Sequence, residues 1–307
     1  MGAGHMSRQN SDISALYQQI REGGLSMEDA RDRLRHLRAH GPALNLRHGD
    51  PALRDHLIHG NQVAVGVTFV SLALNAQFER NPSAHSVALS HVIFVDPINV
   101  PRDTQVKFRV EEESAEGKIS GHLEPGGTKP VATYRVAEAE ALSTTLFWQE
   151  GEEVAVPTLY EANPHVTWGP WFQTIDRAVI THDTAMLTLK PIEAMSGIAD
   201  PRLLNSILFG AFALSTPARK VCDWLPLSID KVVAARVRPK GPLFVVVKRN
   251  RSSGELSIFD AEIQDHAGCC VVRFEAFALK RMARTTHTAA EDMASQAFDT
   301  PAQEQSI

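Results

Sequence analysis

The chain has 307 residues, a formal net charge of −5, 43% hydrophobic and 22% charged residues. That is an ordinary soluble globular balance, long enough for one large domain or two small ones, and it offers no broad basic field for nucleic acid. No run approaches the ~20 apolar residues that span a bilayer, and three cysteines without a CxxC (Cys222, Cys269, Cys270) point to a reducing cytoplasm over a disulfide framework.

Met1–Met6 reads as an expression scar. Residues 7–41 read as a helical linker. Ile13, Leu16, Tyr17 and Ile20 share one helical face, Gly23-Gly24 stops that helix, and Ser26-Met-Glu-Asp29 starts a second one. Asn61–Val65 is expected to be extended. Gly66–Arg80 follows, with Val67, Val70, Leu74 and Phe78 at helical spacing and an apolar surface all round, so a buried helix is expected. Strands are predicted at Val87–Val95, Gln105–Glu111, Lys118–Leu123 and Val131–Ala137, each bounded by turn residues.

The same order then repeats. Trp168–Ile180 reads as extended and Pro201–Leu214 as an apolar helix. Strands are predicted at Val232–Val237, Leu243–Arg249, Glu255–Asp265 and Cys270–Leu279. Residues 286–307 read as a flexible linker. One buried helix and several antiparallel strands, twice over, make an α+β protein of two units, 42–145 and 146–285, each a helix wrapped by a sheet.

Chemistry concentrates around Asp55-His56-Leu-Ile-His-Gly60-Asn-Gln-Val-Ala-Val65-Gly66. No histidine pair has HExxH or similar spacing, so no metal site is expected. The stretch resembles the His-x-x-x-Gly-x-x-x-x-Pro motif of polyketide synthase dehydratases. His56 and Gly60 match, Val65 stands at the proline position, and Gly66 matches the glycine that follows. Trp168-Gly-Pro-Trp-Phe-Gln173 resembles the family's Tyr-Gly-Pro-x-Phe-Gln signature. Asp200-Pro-Arg-Leu-Leu-Asn205-Ser-Ile-Leu-Phe209 resembles its His-Pro-x-Leu-Leu-Asp-x-x-x-Gln helix, with Asn205 at the catalytic aspartate and Phe209 at the glutamine. Leu225-Pro-Leu-Ser-Ile-Asp230 resembles the Leu-Pro stretch beyond it. Gly24-Leu-Ser-Met-Glu-Asp-Ala30 is similar to linkers between domains of trans-acyltransferase assembly lines.

The resemblance implies a double hotdog. It implies a catalytic pair, His56 and Asn205, across an apolar tunnel, with Gly60, Val65, Gly66, Trp168, Phe172 and Phe209 lining the substrate. It implies an acyl thioester on the phosphopantetheine arm of an acyl carrier protein, no intrinsic cofactor, neighbouring synthase domains as partners, and a homodimer. Arg54, Lys231 and Arg249 are candidates to meet the arm's phosphate.

A dehydratase needs an acid to expel hydroxide, and an amide cannot supply that proton. A lone neutral histidine can still carry a proton from Cγ to Cα of an α,β-enoyl thioester, giving the β,γ isomer. A backbone N–H at the head of the buried helix, that of Gly66, would steady the charged oxygen. The expected activity is that of an enoyl-isomerase. The alternatives are a pyran synthase, closing a ring by oxa-Michael addition, and an inactive scaffold that binds carrier protein. Any carboxylate near His56, Asp200 and Asp223 first, would reopen dehydration and ring closure.

Overall fold

Two segments are apolar on nearly every side, and both become helices enclosed by one sheet. The computed structural model describes residues 43–281 except 103, 114, 125–126, 162–165, 193–194, 196–198, 216–223 and 238–240. The predicted scar and linkers, 1–6, 7–41 and 286–307, lie outside the described residues. The first half runs β1 (Ala43–Arg47), α1 (Pro51–Arg54), β2 (His56–Ile58), β3 (Asn61–Gln62), α2 (Gly66–Arg80), β4 (Ser86–Phe94), β5 (Gln105–Glu113), β6 (Glu116–Glu124) and β7 (Gly127–Ala137). The second runs β8 (Glu152–Val154), α3 (Val156–Tyr160), β9 (Val166–Trp168), β10 (Ile175–Ile180), β11 (Thr184–Leu189), α4 (Pro201–Ser215), β12 (Trp224–Ala235), β13 (Phe244–Ser252), β14 (Leu256–Gln264) and β15 (Cys270–Arg281).

Every residue from Val67 to Leu74 in α2, and from Leu203 to Phe212 in α4, is buried. Such helices are stable only when surrounded. A twelve-stranded antiparallel sheet in the order β1-β5-β6-β7-β4-β12-β15-β14-β13-β11-β10-β8 does this. Helix α2 packs on β4 and β5, α4 packs on β10, β11, β13 and β14, and the two helices touch. The fold is a double hotdog of the α+β class.

The approach of α4 to its sheet is close. A Cβ on Gly210 would lie 2.7 Å from Val247 Cγ2. Each long helix ends against an arginine that serves its last carbonyls. Arg236 donates to Phe78 O (2.5 Å), Asn81 O (2.8 Å) and Ala84 O (2.9 Å) beyond α2, with its guanidinium 4.6 Å over the Phe78 ring. Arg249 donates to Leu214 O (2.5 Å) at the end of α4 and to His182 O (2.6 Å). Positive charge there also opposes the helix dipole.

Both predicted long helices begin where expected, and α4 extends one residue further, to Ser215. The expected extended run Trp168–Ile180 is broken. Phe172 N–H donates to Gly169 O (3.1 Å) and Gln173 N–H to Pro170 O (3.2 Å), so a turn separates β9 from β10. Strand β12 begins at Trp224, eight residues before the expected Val232, and bulges at Pro226 where the ladder lacks a donor.

Residues 138–151 carry no regular structure and cross the second hotdog as a strap. Glu262, fully buried on β14, anchors it. Its carboxylate accepts from Thr145 N–H (3.0 Å), Thr145 Oγ1 (2.6 Å), Leu146 N–H (3.3 Å), Gln264 Nε2 (3.0 Å) and Arg273 (3.0 Å). Arg273 also donates to Ser143 O. Removing the acceptor strands these donors in a dry place. Glu262→Ala should cost about 3 kcal/mol in urea unfolding, and Glu262→Gln less, since its oxygen still accepts.

Candidate active site

The histidine motif folds as a hairpin. His59 (φ 49°) and Gly60 (φ 77°) form the two-residue turn between Ile58 and its partner Asn61. Positive φ at both places is a type I′ turn, which suits the twist of paired strands and favours glycine. Gly60 is exposed at the tip, and nothing lies within 4 Å of a Cβ built on it. Its part is conformational, whereas the sequence reading placed it against substrate.

The hairpin turns the carbonyl of Val63 onto the imidazole. His56 Nδ1 lies 2.6 Å from Val63 O. A carbonyl only accepts, so Nδ1 carries the hydrogen and Nε2 keeps its lone pair. His56 is 5% exposed, and burial lowers its pKa from 6.5 to about 4 despite the Val63 bond. No charged neighbour contributes to that shift. The ring is a neutral base at physiological pH.

Aromatic rings from the second half close over it. Trp168 on β9 is paired with His56 on β2 and packs on its ring at a 40° tilt, 4.6 Å between centroids, while Phe172 meets it edge-on at 6.1 Å. Trp168 also packs on Phe209 of α4 at 4.8 Å, and Phe209 on Tyr160 at 4.9 Å. The Tyr160 hydroxyl accepts from Ile175 N–H (2.9 Å). Trp168 and Tyr160 also line a surface cleft of about 700 Å³, together with Val156, Ile175 and Lys190.

Asn205 lies one helical turn before Phe209, on the same face of α4. It is fully buried, and neither its Oδ1 nor its Nδ2 has a partner. Leaving an amide dry and unpaired costs on the order of 1–3 kcal/mol, so such a group asks for a functional reason.

At the head of α2, Val65 is buried with φ −67° and ψ 142°. That is the φ a proline would impose, so the departure from the motif leaves the backbone as a proline would set it. A Cβ on Gly66 would come within 3.0 Å of the Phe94 ring. Glycine lets that ring close over the start of the helix.

The other expected groups are engaged elsewhere. Asp200 accepts from the backbone N–H, Nε and Nη2 of Arg202, each at 2.9 Å, and Asp223 lies outside the described residues. Of the candidate phosphate partners, Arg54 pairs with Asp55 (2.7 Å), Lys231 with Glu140, and Arg249 with the two carbonyls above. Sequence reasoning missed Val63, whose contribution is a carbonyl, and Tyr160, which no motif marks.

A buried histidine in one hotdog and a helix-borne polar group in the other define a dehydratase-like domain. Residues 44–123 match the family model described as "polyketide synthase dehydratase domain", and residues 149–289 the one described as "polyketide synthase dehydratase N-terminal domain". The chain belongs to the polyketide synthase dehydratase family. It is 20% identical over 255 residues to polyketide synthase PksR of Bacillus subtilis (strain 168), covering 76% of this chain and 10% of that protein's length. The trans-acyltransferase polyketide synthase enoyl-isomerase aligns with a TM-score of 0.65 at 18% identity over 78% of this chain and 99% of its own. The dehydratase domain of RzxB from Pseudomonas fluorescens aligns at 0.67 and 16% over 78% and 94%. Both share the fold.

The depressed His56 pKa has a thermodynamic signature. Above pH 6.5 neither the folded nor the unfolded chain protonates this ring, and its contribution is fully present. As pH falls towards 4, the unfolded chain takes up a proton that the folded chain refuses. Stability should drop by about 1.4 kcal/mol per pH unit, roughly 3 kcal/mol in all, with nothing further lost below about 4. Unfolding of His56→Gln across this window should show a shallower slope.

Proposed function

We propose that this domain moves a carbon–carbon double bond from α,β to β,γ in an enoyl thioester by a 1,3-proton transfer with His56 as its single base. The observation that supports the reading is a neutral imidazole whose Nε2 keeps its lone pair, buried beneath aromatic rings, and the family resemblance puts an amide, Asn205, where the acid is expected. Nε2 takes a proton from Cγ, and the electron pair passes through the conjugated system to the thioester oxygen. The imidazolium then returns the proton to Cα, the pair settles between Cβ and Cγ, and nothing leaves. Asn205 Nδ2 and the backbone N–H of Gly66 are the donors for the charged oxygen. Expulsion of hydroxide would need an acid that Asn205 cannot be.

The substrate arrives on the phosphopantetheine arm of an acyl carrier protein, and no intrinsic cofactor takes part. A homodimer beside neighbouring synthase domains is the assembly in which it works. Both a dehydratase and an enoyl-isomerase share the fold, so the choice between activities rests on His56 and Asn205 of this chain.

Incubation of α,β- and β,γ-enoyl pantetheine thioesters with the domain in D₂O should approach one equilibrium mixture from both sides by NMR. Deuterium should mark Cα. His56→Ala should slow this by about 10²–10⁴-fold. Absence of both product and label with the unaltered domain would overturn the reading. Asn205→Asp should gain measurable dehydration of a β-hydroxyacyl thioester, which the parent domain lacks.

A further inference from the structure

Between the His56 hairpin and α4 lies a set of contacts that the proton transfer does not use. Asp55 immediately precedes His56 and is 3% exposed. Its carbonyl accepts from Gly169 N–H (2.8 Å), and its carboxylate Oδ2 accepts from Trp171 N–H (2.7 Å). One residue thereby holds both ends of the turn that follows Trp168. The fit leaves no slack, since a Cβ on Gly169 would fall 2.5 Å from Asp55 Cγ. On the other side, the Arg202 guanidinium lies 5.3 Å over the Trp171 ring, and Asp200 fixes that guanidinium at the head of α4. Trp171 itself packs edge-on against Phe172 at 4.7 Å. Arg202 stands three residues before Asn205.

We infer that Asp55 and Arg202 are positioning residues: they clamp the Gly169–Trp171 turn between the hairpin and α4, and so hold Trp168 and Phe172 as a lid over the imidazole. The clamp acts on His56 as the base, and in that sense rests on the proposed function. Its geometry is independent of any substrate. Arg54 holds the Asp55 carboxyl below the usual carboxylate range, so the acceptor for Trp171 N–H stays ionised at neutral pH. The carboxylate accepts a backbone N–H, which an asparagine oxygen can also do, so Asp55→Asn should preserve the clamp. Asp55→Ala should not.

The test reads His56 directly by ¹⁵N imidazole NMR. The groups on the ring are the Val63 carbonyl, Trp168 and Phe172; the charges on the elements around it are the Asp55–Arg54 pair and the Asp200–Arg202 pair. In the unaltered domain the Nδ1–H tautomer should persist, with a titration midpoint near 4. In Asp55→Ala the lid loosens and water reaches the ring. The midpoint should rise by about one unit or more, the tautomers should begin to average, and kcat should fall about tenfold with KM little changed. Asp55→Asn should restore most of each. Arg202→Met, at the other end of the clamp, should move the same readouts in the same direction, and decides the matter if Asp55→Ala fails to fold. A folded Asp55→Ala with unaltered tautomer, midpoint and kcat would overturn the clamp. If the NMR readouts move but the unaltered domain isomerises nothing, the clamp stands and the proposed activity falls.

Discussion

Strands β4 and β12 pair antiparallel from Ser86↔Ala235 to Ile93↔Ser228, and this seam is what makes one protein of two halves. It turns two curved sheets into one and sets α2 against α4. A second, smaller stitch crosses the same boundary. Strand β2 of the first half pairs with β9 of the second, aligning His56 with Trp168. With the helices in contact and the hairpin pinned from the far side, His56 meets Trp168, and Trp168 meets Phe209 one turn along α4 from Asn205, a long-range closure of the kind that costs chain entropy and must be repaid by burial.

The site holds two groups that cost stability. Burial that strips water from His56 makes it a weaker base but keeps it free of a proton, and the Val63 carbonyl decides which nitrogen keeps its lone pair. Neither Oδ1 nor Nδ2 of Asn205 meets a protein partner among the described residues. Thr68 Oγ1, Thr174 Oγ1 and Trp224 Nε1 are buried without a partner as well, whereas the buried carboxylates are well supplied. Glu262 shows the contrast, with donors from Thr145, Leu146, Gln264 and Arg273 converging on it.

How much of this was legible in the sequence follows from the range of each interaction. The starts of α2 and α4 were legible because Gly66–Arg80 and Pro201–Leu214 announce burial through composition alone. The His56 and Trp168 motifs were legible as spacings. The reason for Gly60 was not, because a spacing does not say whether a glycine touches a ligand or bends a hairpin. Trp168–Ile180 reads as extended in sequence, yet it turns after Trp168. What bends it there is accompanied by bonds from Asp55, more than a hundred residues away. The clamp through Arg202 and the strap on Glu262 depend on partners brought together only by the finished sheet, so no local pattern marks them. Lys231 and Arg249 looked available as cations because their partners are distant in sequence or are carbonyls, whereas Arg54 is taken by its own neighbour Asp55.

The seam also has a history in time. When the ribosome has released β4, its partner on one side, β7, follows soon after, but β12 begins roughly 130 residues later, on the order of ten seconds at ordinary rates of synthesis. Through that interval the nascent first hotdog presents the bare edge of β4, with Val87, Leu89 and Val92 behind it, to a crowded cell. Such an edge invites pairing with the wrong strand, including the same strand of a neighbouring chain. Assembly of this domain is therefore most exposed to error between the synthesis of β4 and that of β12, and the arrival of β12 is the event that ends the risk.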